Sequence, residues 1–347
     1  MNEQATSTTA SEHPLAGTRM TGADIVVQVL ADEGVDTIFG YSGGAILPTY
    51  DAVFRYNDTH KDENGEAPMP LIVPANEQGA GFMASGYARA SGKVGVVMVT
   101  SGPGATNTVT PVRDCMADSV PIVVICGQVP TSAIGTDAFQ EAPVSAIMGA
   151  VAKHIFLVTE AEKLEETVRS AFELARTGRP GPVVIDIPKD IQNCEGKFKG
   201  QGALSLPGYE RRLDSVQSNR LPDVACERFF KMLAQSERPL IYAGGGVINA
   251  NATKPLRRFA NEYDIPGTTT LMALGVGNTQ HPMALHMLGM HGLASANYAV
   301  EDCDFLIAVG ARFDDRVAGD PKGFAGGAKN IAQFDVDIAE IGKVKRV

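Results

Sequence analysis

The sequence has no surplus of positive charge: 30 Lys and Arg stand against 40 Asp and Glu in 347 residues, a formal net charge of -10. That balance argues against nucleic acid or an anionic membrane surface as a partner, since both are bound through a basic face. No apolar run approaches the roughly 18 residues that a membrane span requires. Cysteine is sparse. Cys115, Cys126, Cys194, Cys226 and Cys303 are odd in number, scattered, and never in a CxxC pair. Buried thiols in a reducing cytoplasm are expected, with no metal or disulfide role. The opening stretch, MNEQATSTTASEHPLAG, has no basic segment followed by an apolar one and carries no arginine. It therefore reads as neither a secretory signal nor a transit peptide, and a disordered polar tail over 1–18 is expected.

What the chain does have is length and apolar content, 44% hydrophobic, enough for two cores. Thr21 with Asp24 three residues on resembles a capping box, and Ile25, Val26, Val29 and Leu30 form a helical stripe behind it. Continuous apolar runs then alternate with helical patterns. The strands expected are 37–39, 71–73, 94–100, 122–126, 155–158 and 183–187, with helices over 76–91, 105–118 and 161–176. Such alternation predicts α/β architecture with a parallel sheet covered on both faces. A polar, glycine-bearing stretch over 191–221 breaks the rhythm and reads as a linker. The pattern resumes with helices over 223–235 and 252–263 and strands over 240–243, 267–270, 305–309 and 330–335. The expectation is two doubly wound parallel-sheet domains, 19–190 and 222–347, the second Rossmann-like and incomplete. IAEIGKVKRV, at the end, is expected to begin another helix.

One stretch is odd. PANEQGAGFMASGYARASG, residues 74–92, has the pattern of a helix yet carries Gly79, Gly81, Gly86 and Gly92. Each interior glycine costs about 1 kcal/mol relative to alanine. A surface of Gly and Ala lets another backbone approach closely, and that of a second subunit is expected there. Asn76 is a good N-cap, which places Glu77 in the first turn. An ordinary glutamate there merely complements the helix dipole. The small, uncharged neighbours of Glu77 instead suggest burial, and a buried carboxyl can hold and share a proton.

FGYSGGAILPTYDA, the glycine helix with the following GKVGVVMVTSGPGATN, GTDAFQE and GRPGPVVIDIPKDI occur in that order, followed by YAGGGV, TTLMALG, MLGMHG and GARFDDRVAGD. From about residue 19 onward the chain resembles the thiamine-diphosphate enzymes, and among them the large catalytic subunits of acetohydroxyacid (acetolactate) synthases. The resemblance implies that Glu77 bonds the cofactor's aminopyrimidine and exchanges a proton with it, with Gly43, Gly44 and Ala45 beside the reactive ring. Ser42 stands where proline is common in the family. It implies that Phe139, Gln140 and Lys189 line the substrate channel, with Lys189 attracting a 2-oxoacid carboxylate, and that Pro130 and Ser132 edge its entrance. Gln140 and Lys189 are otherwise unexceptional surface residues. The glycine turn TSGPGATN could cradle a phosphate, but no lysine follows it, and an architectural role is favoured.

AGGGV is a glycine turn without a full GxGxxG. The resemblance implies FAD there, bound without redox use, through Arg179, Gly244, Gly245, Gly246, Thr270, Leu271, Met272, Gly289, Met290, His291, Gly310, Arg312, Asp314, Arg316 and Asp335. Arginines and glycines suit a pyrophosphate, and Asp335 at a strand end suits a ribose hydroxyl. The plain alternative for His291 is a satisfied core histidine. The GDG motif and asparagine that hold diphosphate and Mg²⁺ in the family have no match, so negligible turnover is expected of the isolated chain. The activity implied is decarboxylation of pyruvate and its condensation with pyruvate or 2-oxobutanoate, in the synthesis of branched-chain amino acids. A cytoplasmic homodimer or tetramer, with or without a small regulatory subunit, is the implied setting. Two alternatives stay open: another thiamine-diphosphate carboligase, decarboxylase or pyruvate oxidase, and a non-catalytic binding or regulatory chain.

Overall fold

A computed structural model describes residues 13–218 and 221–347. The chain forms two compact units that divide at Pro207 and Gly208. In the first, six parallel strands lie in the spatial order Leu71–Ile72, Ile38–Tyr41, Gly95–Val99, Ile122–Gln128, Val183–Pro188, His154–Leu157. The central three of the long strands, Gly95–Val99, Ile122–Gln128 and Val183–Pro188, are buried along their whole length. They can be apolar throughout because helices cover both sheet faces. Helices Glu77–Ser91 and Val109–Asp118 pack on each other, and helix Gly22–Asp32 packs on Leu47–Thr59 and Leu164–Arg176.

In the second unit five parallel strands run in the order Ala284–Met287, Gly267–Thr269, Pro239–Ala243, Phe305–Val309, Asn330–Phe334. Two apolar clusters form its core, one around Tyr242, Leu306, Phe313 and Phe324, the other around Ile241, Ile265, Phe305 and Ile307. Both units are thus α/β with doubly wound sheets, as expected.

The capping box is present: the Thr21 hydroxyl accepts from Asp24 N–H at 3.2 Å while Thr21 N–H donates to the Asp24 carboxylate at 3.3 Å. Elsewhere the structure departs from expectation. The single helix over 105–118 is two, Pro103–Asn107 and Val109–Asp118. Pro111 has no N–H and its ring crowds the carbonyl four residues back, at Asn107, so the helix restarts there. The stretch 191–221 is not a featureless linker. It holds the end of helix Lys189–Asn193, strand Glu195–Lys197 and helix Pro207–Ser218. Glu195–Lys197 pairs antiparallel with Arg19–Thr21. The polar tail expected over 1–18 is ordered in its last part: Gly17 N–H donates to Phe198 carbonyl at 2.8 Å, and His13 meets the Phe198 ring edge-on. Residues 1–12 lie outside the described residues. No helix forms in IAEIGKVKRV; Gly342 takes φ 69° and its N–H donates to the Gln333 side chain, which closes a turn instead.

Candidate functional site

From strand Ile38–Tyr41 the chain crosses to Leu71–Ile72 on one side, then to Gly95–Val99 on the other. Ligands of open α/β sheets bind beyond the carboxyl ends of the strands where the order reverses in this way. The two loops at that point, Ser42–Ile46 and Thr100–Gly104, are tied together: Ala45 N–H donates to the Thr100 hydroxyl at 3.3 Å. A Cβ on Gly43 would lie 2.6 Å from that same side chain, so only glycine lets the loops sit this close, whereas Gly44 faces open space. Gln192, fully buried, donates to Ala45 carbonyl at 2.8 Å and accepts from the Thr49 hydroxyl at 2.9 Å.

Glu77 enters this region from the neighbouring strand, Leu71–Ile72. Asn76 caps the helix by accepting from Gly79 N–H at 2.8 Å, which fixes Glu77 in the first turn. Its side chain is buried, at 8% exposure, and accepts from the Asn107 amide at 2.8 Å. Tyr50 donates to Met98 carbonyl at 2.9 Å; burial first, and the Glu77 charge second, push its phenol pKa up. Asn107, Tyr50 and Gln192 were not singled out from the sequence, although Asn107 closes the TSGPGATN motif.

The helix glycines divide by role. Gly81 meets Pro111 so closely that a Cβ there would overlap the ring, while Gly86 has nothing within 4 Å. Gly92, at φ 73°, ends the helix in the left-handed conformation that glycine adopts without penalty. Beside Gly86 the same helix leaves Phe82 and Met83 exposed.

The residues expected to line a substrate path also lie at the carboxyl ends of strands. Phe139 is 87% exposed, and Gln140 holds a left-handed φ of 58° with its backbone against Gly102. Lys189 is half-buried and follows Val183–Pro188 directly. Its neighbour Asp190 accepts from Thr131 N–H at 3.0 Å, which holds the exposed Pro130 and Ser132 near that strand end.

In the second unit, Gly244–Gly246 follow strand Pro239–Ala243 and Gly310 follows Phe305–Val309, the pair where that sheet reverses. Gly246 and Gly310 meet backbone to backbone, with Gly310 at φ 58°. Thr270, Leu271 and Met272 follow the strand Gly267–Thr269, and among the described residues the buried Thr270 hydroxyl has no hydrogen-bond partner. Met290 N–H donates to Arg316 carbonyl at 2.7 Å, and Asp314 accepts from Arg316 N–H at 2.9 Å, which brings 289–291 beside 312–316. Arg312 lies 3.7 Å from Asp314. Leu271, Met290 and His291 are exposed, so His291 is not a core histidine. Asp335 follows the strand Asn330–Phe334 and accepts from Asp337 N–H. An orphaned buried hydroxyl beside a backbone cradle is what a bound polar ligand would satisfy. Arg179 belongs to the first unit, where it donates to the Ser119 hydroxyl at 2.9 Å and to carbonyls of Met116 and Ala117 at the end of helix Val109–Asp118. Among the described residues, no group of three His, Cys, Asp or Glu is placed to hold a metal ion, and no helix is long and apolar enough to cross a membrane.

Residues 20–147 match the thiamine pyrophosphate enzyme N-terminal TPP binding domain, and residues 226–347 match the thiamine pyrophosphate enzyme central domain. Over 95% of its length the chain is 46% identical to the acetolactate synthase large subunit of Corynebacterium glutamicum, covering 50% of that protein. It is 46% identical over 93% to the probable acetolactate synthase large subunit of Methanocaldococcus jannaschii, covering 52%. Against the acetolactate synthase isozyme 2 large subunit of Escherichia coli the figures are 45%, 94% and 56%. The chain thus spans about half the length of the curated relatives it matches. With a buried glutamate opening a glycine-rich helix at the sheet's reversal, and both domain matches falling on the two α/β units, the chain belongs to the thiamine pyrophosphate enzyme family.

Proposed function

We propose that the chain forms the pyrimidine-binding and central portions of an acetolactate synthase catalytic subunit. Its reaction is the decarboxylation of pyruvate and condensation with a second 2-oxoacid, pyruvate or 2-oxobutanoate, for branched-chain amino acid synthesis in the cytoplasm. One observation carries the reading. Glu77 is buried at a helix start, held by Asn107, after a strand adjacent to the one that leads into the glycine loop 43–45, in a chain about 45% identical to enzymes of that name.

Thiamine diphosphate, when bound, supplies a carbon nucleophile and a sink for the electrons that decarboxylation releases. The chain's contribution is proton handling and placement. Asn107 engages one oxygen of the Glu77 carboxyl, leaving the other to hold or lend a proton to a ring nitrogen. The Gly43–Ala45 backbone lets a flat ring approach without a side chain in the way. Lys189 draws in the 2-oxoacid carboxylate, and Phe139 with Gln140 covers the reacting atoms and excludes water. In the second unit the Thr270 hydroxyl, the glycine backbone at 244–246 and 310, and Arg312 and Arg316 would hold FAD. Mg²⁺ and the diphosphate would be held by residues of the portion of the relatives that the chain does not match. The exposed Phe82 and Met83, with the open side of Gly86, fit self-association through the glycine helix, and a small regulatory subunit is a further partner in this reading.

The test is a fusion of this chain to the unmatched half of the Corynebacterium relative. Supplied with thiamine diphosphate, Mg²⁺, FAD and pyruvate, it should form acetolactate, while the 347-residue chain alone should form almost none. A fusion that folds and binds thiamine diphosphate but releases only acetaldehyde or acetate from pyruvate would overturn the assignment.

A further inference from the structure

The loop that carries Phe139 and Gln140 runs from strand Ile122–Gln128 to helix Val144–Gly149, and both its ends are tied to one side chain. Gln128 is 2% exposed. Its Oε1 accepts from Val129 N–H at 2.8 Å, at the start of the loop. Its Nε2 donates to Ala142 carbonyl at 3.3 Å, near the far end. The same nitrogen donates to Asp186 Oδ2 at 2.9 Å, on the adjacent parallel strand. Asp186 is 1% exposed, and among the described residues its Oδ1 has no hydrogen-bond partner.

A primary amide has a fixed polarity, donating from one end and accepting at the other. With Asp186 accepting, the amide is held in one orientation. Turned over, it would set N–H against N–H at Val129 and oxygen against oxygen at Ala142 and Asp186. The tip of the loop needs fixed ends, because Asp137 and Gln140 both adopt left-handed backbone, at φ 59° and 58°, which non-glycine residues adopt only at a cost. Glu141 helps from within, accepting from Gly135 and Ala138 N–H groups.

We propose that Gln128 is a positioning residue that clasps the two ends of the 129–142 loop, and that Asp186 acts through it by presenting a standing acceptor. The loop's tip then stays against the Ser101–Gly102 turn. The value of this clasp to catalysis rests on the reading that Phe139 and Gln140 line the substrate path. The clasp itself does not. Burial pushes the Asp186 carboxyl up to about 7, and a proton that settles there has the partnerless Oδ1 available, so Oδ2 accepts in both charge states.

Limited digestion with chymotrypsin tests the clasp on the chain as it stands, with no substrate or cofactor. The bond after Phe139 is the reporter, identified by fragment mass. The bond after Phe54, 60% exposed in the same unit, is the reference. Asp186→Leu and Gln128→Leu should raise cleavage after Phe139 about tenfold, equivalent to about 1.4 kcal/mol of opening free energy, and leave Phe54 unchanged. Asp186→Asn, whose carbonyl still accepts, should stay within about twofold of wild type. Should the leucine variants fail to fold, Gln128→Asn is one methylene too short to clasp both ends and should show the same selective rise. Equal acceleration at both bonds, no acceleration in any variant, or an asparagine at 186 cut as fast as the leucine would overturn the proposal. Because acetolactate formation is not measured, the clasp and the proposed activity can fail independently.

Discussion

Glu77 and Asn107 meet across 2.8 Å although thirty residues separate them, joining the starts of two strand-to-helix crossings on opposite sides of the same central strand. The bond comes from a donor amide and engages one carboxylate oxygen, which fixes the direction of the side chain. Replacing the carboxyl by an amide should therefore separate shape from function. In the fusion described above, Glu77→Gln should retain folding within about 1 kcal/mol and lose about 10²–10⁴-fold in kcat. A kcat within tenfold of wild type would remove Glu77 from the proton path.

The glycines of the same helix make a paired prediction. Gly81→Val forces a side chain into Pro111 and should destabilise the chain by about 1–3 kcal/mol, read from denaturant midpoints. Gly86→Ala meets no atom and should stabilise the protomer by about 1 kcal/mol. If the open face of that helix joins a second copy, sedimentation should show weaker self-association for Gly86→Tyr. Unchanged association would place the contact elsewhere.

Asp186 sets a pH dependence of stability. Its folded pKa, about 7, lies above the ordinary 3.8 because burial disfavours the charged form. Between those values the folded chain keeps a proton that the unfolded chain releases, so this group's contribution falls as pH rises from about 4 to 7. The full span corresponds to about 4 kcal/mol. Asp186→Asn carries no such titration, and its advantage over wild type in thermal midpoint should grow from about pH 4 to about pH 7 and level off above that. A difference independent of pH would mean the carboxyl is already ionised.

Thr270 offers a contrast of sign. Its buried hydroxyl has no partner among the described residues, so Thr270→Val should leave the free chain as stable as before, or more so. If that hydroxyl serves FAD, the same change should weaken flavin binding about tenfold, read by absorbance titration. Equal affinity in both proteins would take Thr270 out of the flavin site.

The sheets were legible because runs such as 95–99 and 122–126 carry no polar residue, a pattern that helices on both faces impose. The start of the glycine helix was legible through Asn76. Helix Leu47–Thr59 went unnoticed, since its buried residues Thr49, Tyr50, Ala52, Val53 and Asn57 mix polar and apolar types. The pairing of Glu195–Lys197 with Arg19–Thr21 could not be read locally, for a three-residue edge strand acquires its identity from a partner far away in sequence. At the site, the residues proposed to touch a ligand were suggested by family motifs. Their supports were not. Asn107, Gln128 and Gln192 are polar side chains whose partners are set by tertiary contact, and no spacing rule signals that a buried amide bridges two loops.

That short antiparallel pair has an engineering corollary. Where Arg19–Thr21 lies against Glu195–Lys197, the polypeptide enters and leaves the first unit side by side. A brief bridge from Lys197 back to Arg19, with new ends opened in the exposed bend at 60–66, would reorder the gene while keeping every neighbour in the six-stranded sheet. The unit is in this sense a closed circuit, and its starting point along the chain is a matter of ancestry more than of mechanics.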